Sequence, residues 1–252
     1  MADLREITEW LDRYLAIDSV PDYPGAFNGL QVESRSPIER IAAATDASLS
    51  TIEGAAEAEA QLLLVHHGLF WGDPLPLTGV SYRRVRALLD ADMALYSAHL
   101  PLDVHPEVGN NVLLARALDL SIEGRFGRSQ GDVEIGVWAA ADLPLDALAE
   151  RIEGACGSEP LVIPGGPGHV RRVGVVTGGG GSLIQAAHDE GLDTFITGEG
   201  SHHNYHQAME LGLNVVFAGH YATETFGVRA LAERMEETFG LESCFLDRPT
   251  GL

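Results

Sequence analysis

Apolar positions along the chain follow two rhythms that alternate from end to end. Leu4, Ile7, Leu11 and Leu15 recur at helical spacing and predict a first helix over 4–15. Short unbroken apolar runs predict strands over 40–44, 61–65 and 93–98. Between and after them, helical periodicity predicts helices over 49–60, 82–90 and 109–117, the first capped by Asp46 or Ser48. After about residue 125 the rhythm restarts. Strands are predicted over 133–139, 170–176, 194–197 and 215–218, with a short last one over 244–246. The matching helices run over 144–152, 182–190, 205–211 and 223–238, with Pro144 at the start of the first. Strand alternating with helix is the pattern of an α/β fold, mixed sheets flanked by helices. The restart divides the chain into a first lobe over 1–124, completed by 225–252, and a second lobe over 125–224. No linker-like or low-complexity stretch separates them.

Composition narrows the class. Hydrophobic residues make up 45% of the 252, and mean hydropathy is +0.03, which suits buried cores rather than disorder or a bilayer. The apolar runs are strand-length, too short to cross a membrane. The opening MADLREITEW is charged and lacks the apolar stretch of a signal peptide. Cys156 and Cys244 form no disulfide or metal spacing, so the expected location is the reducing cytoplasm. Acidic residues number 37 against 16 basic ones, all arginine, for a formal charge of −21. Such a surface disfavours nucleic acid as a partner and leaves cations welcome.

Candidate chemistry sits where strands end. The strand over 61–65 runs into His66-His67-Gly68, the one over 93–98 into His99 and Asp103, and the one over 215–218 into His220 and Glu224. In open α/β sheets ligands gather at the carboxyl ends of strands. Neighbouring residues of a strand point to opposite faces, so His66 and His67 serve one centre only if the chain turns there, or else each serves a different ion. His220 and Glu224, four apart at a helix start, share a face. Imidazole mixed with carboxylate suits Zn, Fe, Mn or Ni better than Ca or Mg. His99, Glu199 and His206 are polar candidates for acid–base or supporting roles beside those ligands. Thr177-Gly-Gly-Gly-Gly is either an anion cradle before a helix or a tight strand-to-helix packing turn. Asn28 to Gln31 and Asn110-Asn111 suggest turn and cap chemistry only.

The segments VHHGLFW (65–71), HLPLDVHPEVGNN (99–111), ITGEGSHHNYHQAMELG (196–212) and AGHYATETFGVRAL (218–231) closely resemble the NIF-three-like family, known as GTP cyclohydrolase 1 type 2 homologues. NGLQVE (28–33) and VVTGGGGSLI (175–184) match further signatures, so the resemblance covers nearly the whole chain. It implies two interlinked, similar α/β lobes, a toroidal homohexamer, and two divalent metal ions per chain. Carried over by position, the ligands fall on His66, His67, Asp103, His220 and Glu224. It also places His99 close to the metals. The implied activity is a metal-dependent hydrolase acting on a nucleotide-like or phosphorylated small molecule. The alternative is a non-catalytic metal-binding, metal-delivery or protein-interaction protein.

Overall fold

The computed structural model describes residues 1–71 and 75–252. It divides into two compact units, Met1–Leu102 with Gly227–Arg248, and Asp103–Phe226 with Pro249–Leu252.

The first unit opens with α1 (Leu4–Tyr14), whose first turn is held by Asp3 accepting from the Arg5 and Glu6 amides. β1 (Gly29–Val32), β2 (Arg40–Asp46), α2 (Leu49–Glu57), β3 (Leu62–His67), α3 (Gly79–Asp90) and β4 (Ala94–Ser97) follow. Ser48, one of the two expected caps, accepts from the Thr51 amide. β3 runs two residues further than its apolar run, so His66 and His67 still belong to the strand. The buried faces of β2, β3, β4 and α2 pack Ala42, Leu63, Leu95 and Ile52 into one core.

α4 (Leu100–Asp103) closes this stretch of the first unit and ends on the first residue of the second, where the chain continues through α5 (Asn110–Ala117), β5 (Ile122–Arg128), β6 (Glu134–Pro144), α6 (Leu145–Cys156), β7 (Leu161–Pro164) and β8 (His169–Val176). A 3-10 turn over Gly180–Leu183 leads into α7 (Ile184–Asp189), then come β9 (Thr194–Thr197), α8 (His203–Leu211), β10 (Asn214–Phe217) and α9 (His220–Thr223). Its sheet has the order β5-β6-β8-β9-β10-β7. β8, β9 and β10 are parallel, while the other neighbours are antiparallel. Both faces are covered. Phe195 and Val215 enter one core, and their neighbours Ile196 and Val216 enter the other. Burial on both sides explains why these central strands read as continuous apolar runs.

α10 (Thr225–Phe239) and β11 (Glu242–Phe245) return to the first unit. Its sheet has the order β1-β4-β3-β2-β11, parallel except for β1. Both sheets are therefore mixed and flanked by helices, as the alternation predicted. Within each unit three parallel strands end on one edge. In the first those ends carry Asp46, His66 with His67, and His99; in the second, Thr177 with Gly178, Glu199, and His220.

Candidate metal centre

In the first unit the end of β3 is locked from both sides. His66 is fully buried, and its Nδ1 donates to the Ala98 carbonyl oxygen at 2.9 Å. His67 lies opposite Asp46 in the parallel register, and its Nδ1 meets Asp46 Oδ1 at 2.9 Å. His99 Nδ1 meets Asp22 Oδ1 at 2.9 Å. Asp22 is fixed in turn, accepting on Oδ2 from Asn28 Nδ2 at 2.9 Å and from the Leu100 amide at 3.0 Å. Burial pushes the Asp22 carboxyl up, but the hydrogen bond and charge of His99, with help from Asn28 and the Tyr23 amide, hold it below the usual range. With Nδ1 carrying the proton, a neutral ring has its lone pair on Nε2, and these partners assign that tautomer.

The strand alternation that would separate His66 from His67 is overcome at the strand end, where their rings lie 4.7 Å apart. Donor atoms of His66, His67 and His99 all fall within 4.8 Å of one another, so this group can hold a metal ion. Aromatic rings flank it: Trp71 stands edge-on to His99 at 4.9 Å, and Tyr23 lies 5.8 Å from the same ring. Both are substantially exposed. Gly68 makes room beneath, because a Cβ there would overlap the Gln31 amide, which accepts from the Leu69 amide at 2.7 Å. This is what the Asn28 and Gln31 motif does: Asn28 positions Asp22 and the His99 amide, and Gln31 ties down the turn after His67.

In the second unit Asp103 and Glu224 are both buried, at 6% and 3% exposure, which an ionised carboxylate tolerates only when paired or ligating. Asp103 Oδ1 accepts from Asn110 Nδ2 at 2.8 Å. Asn111 donates to the Ile135 carbonyl oxygen at 2.8 Å and accepts from the Thr177 amide at 2.7 Å. His220 sits between two carboxylates: Nδ1 is 3.0 Å from Glu199 Oε1, and Nε2 is 3.1 Å from Glu224 Oε2. The hydrogen bond to Glu224 raises the His220 pKa most, burial opposes it, and the charges of both glutamates bring it to about 9. His220 Nε2 and Glu224 Oε2 thus form a His/carboxylate pair of the kind that takes a divalent ion when both groups are deprotonated.

The glycine loop resolves as a packing turn. The Gly178 amide donates to Thr223 Oγ1 at 3.0 Å and the Gly180 amide to Thr197 Oγ1 at 2.9 Å, so these two donors point into the protein rather than at a phosphate. Gly178, at φ +65°, lies so close to Glu224 that a Cβ there would collide with its carboxylate.

Of the residues expected from sequence, the structure gathers His66, His67 and His99 in the first unit. In the second it joins His220 to Glu199 and Glu224 and packs Gly178 against that pair. His206 lies exposed on α8 with its ring against Tyr205 and His202. Sequence pattern does not point to Asp22, and it marks Asp46 only as a cap. The signal for Asp46 was present, since it ends the strand before His67, but its partner depends on register. The chemistry of the donors fits a divalent transition ion: several imidazoles with assigned tautomers, together with buried carboxylates.

A profile of the Duf34/NIF3 (NGG1p interacting factor 3) family matches residues 2–250. A GTP cyclohydrolase 1 type 2 homolog of Deinococcus radiodurans is 51% identical over 249 residues, covering 98% of this chain and 94% of that protein. One from Pyrococcus abyssi is 44% identical over 255 residues, covering 98% of each. The crystal structure of a Thermus thermophilus protein superposes with a TM-score of 0.91 at 44% identity, covering 99% of this chain and 100% of the other.

Proposed function

This chain belongs to the Duf34/NIF3 family, and on that premise we propose that it is a metal-dependent hydrolase of a small molecule with a flat, nucleotide-like ring. In this reading His66, His67, Asp103, His220 and Glu224 together hold two divalent ions, and the working assembly is a toroidal homohexamer. The observation that carries the reading is that His66, His67, His99 and His220 each have Nδ1 held by an acceptor: Ala98, Asp46, Asp22 and Glu199. Histidines that ligate metals are oriented in this way, by a carboxylate or a backbone carbonyl on the other ring nitrogen.

When bound, divalent ions supply Lewis acidity, lowering the pKa of water and polarising the bond under attack. The chain's own residues do the rest. Glu199 orients His220, and Asp46 orients His67. The Asp22–His99 pair, with its proton on Nδ1, offers Nε2 as an acid–base group beside the metals. Tyr23 and Trp71 present exposed rings next to His99, a surface on which a planar heteroaromatic ring stacks. The name carried by the relatives points to GTP as the first compound to try.

The test is metal analysis of the purified protein, then a screen of hydrolysable nucleotides in that metal, with Glu224→Ala as control. Metal content and turnover are expected to fall together in the variant. Turnover surviving in a metal-free variant would sink the mechanism. Exchangeable, stoichiometric metal with no turnover on the panel would replace it with the metal-delivery reading.

A further inference from the structure

We propose that His202 and His206 form a second, exchangeable metal site, one that takes a divalent transition ion such as Zn2+, Ni2+ or Cu2+. The two residues are four apart. His202 already has helical backbone angles, φ −49° and ψ −40°, as the residue before α8, so both imidazoles project from one face over successive turns. Their rings lie 5.8 Å apart at an interplanar angle of 84°. With metal–nitrogen bonds of about 2.0–2.1 Å, two tetrahedrally placed imidazoles have centroids roughly 5 Å apart. A small rotation of exposed rings closes that gap. Two histidines at this spacing on a helix face are the pattern by which helices chelate zinc.

Three features favour an ion here over two solvated side chains. Both rings are exposed, and one stands edge-on to the other, so they already share one patch of the helix surface. The start of the helix is fixed by Asn204, only 2% exposed, which accepts from the Ser201 amide at 2.7 Å and donates to the Gly181 carbonyl oxygen at 3.1 Å. Little backbone freedom therefore remains to be lost on chelation. The chain's charge of −21 raises the local concentration of cations.

One term opposes binding: the positive end of the helix dipole lies at this terminus. With two protein ligands only, the ion keeps open positions and exchanges readily. His203 is also exposed but follows His202 directly, so it projects about 100° further round the helix and stays outside the chelate. The site uses neither His220 nor Glu224 and stands independently of the hydrolase reading.

The experiment is calorimetric titration of the full-length protein with Ni2+, after tightly bound metal has been loaded and counted. One weak site per chain is expected in excess of the tight metal. His202→Ala and His206→Ala should each abolish it, or raise its dissociation constant roughly tenfold or more. His203→Ala should leave it intact, and circular dichroism should show all three variants folded, since the side chains are exposed. A wild-type protein without a weak site, a weak site that survives in both pair variants, or equal loss in His203→Ala would overturn the proposal. Tight metal measured in the same samples reports separately on the main centre.

Discussion

At His67, as at His66, His99 and His220, the ring is oriented by what holds its Nδ1. His67 shows this at its clearest, because Asp46 is its direct neighbour in the β2–β3 register and holds its Nδ1. Asp46→Ala should keep the fold, since its side chain is 43% exposed, yet weaken metal binding about 10–100-fold. Competition against a chelator of known affinity measures this, and an unchanged constant would remove Asp46 from the site. A second aspartate acts on stability alone. Asp92 accepts from the Arg35 amide at 3.0 Å and from the Ser36 amide and hydroxyl at 3.1 and 2.8 Å. The Arg35 amide, then the Ser36 hydroxyl, hold its pKa below the ordinary 3.8. A depressed folded pKa means that its contribution is complete above 3.8 and is lost as pH falls through the lower folded value. Asp92→Asn should therefore melt earlier than the wild type at neutral pH, with the gap narrowing in acid. The histidines were legible because residue type and position at strand ends carry the chemistry. Asp22 was not, because it lies 77 positions from the ring that it holds.

Between strand and helix, glycine decides how closely elements approach. Gly178 has φ +65° and sits against Glu224, so a side chain there strains the backbone and displaces a buried carboxylate. Gly178→Ala should cost about 2–4 kcal/mol in denaturant unfolding, and the folded fraction should bind metal poorly. A variant of wild-type stability with full metal would contradict this close fit. The same geometry explains why a run of glycines that reads as an anion cradle is a packing turn: its partners are Thr197, Thr223, Asn204 and Glu224, all distant in sequence. Strands were read with uneven success for a physical reason. β1, β5 and β7, which the apolar pattern did not predict, lie at sheet edges and pair antiparallel. β1 and β5 interleave apolar with polar or glycine positions, and β7 is only four residues long, its apolar residues flanked by prolines, so none carries a strong strand signal. β6 was expected to end at 139 but continues to Pro144 past an irregularity between Ala140 and Leu143, where the alternation breaks.

At the scale of the whole molecule, each of the two units buries a core of its own. Metal bound to the native chain alone stabilises it by mass action, about 2.7 kcal/mol at a hundredfold excess over the dissociation constant. Chelation should lower the thermal midpoint, and added metal should restore it in a concentration-dependent way; a midpoint indifferent to chelator would mean that the native state holds no such ion. No described helix is long and apolar enough to cross a membrane, in keeping with the short apolar runs. The sequence by itself determined the α/β class, the central strands, the family and the histidine- and acid-bearing turns, because each depends on periodicity or on residue types close together in the chain. Tertiary structure alone decided which carboxylates orient which rings, that His66 and His67 converge despite strand alternation, and that the Gly178 and Gly180 amides of the glycine loop turn into the protein. Those outcomes follow from strand register and from contacts between distant segments, which local pattern does not encode.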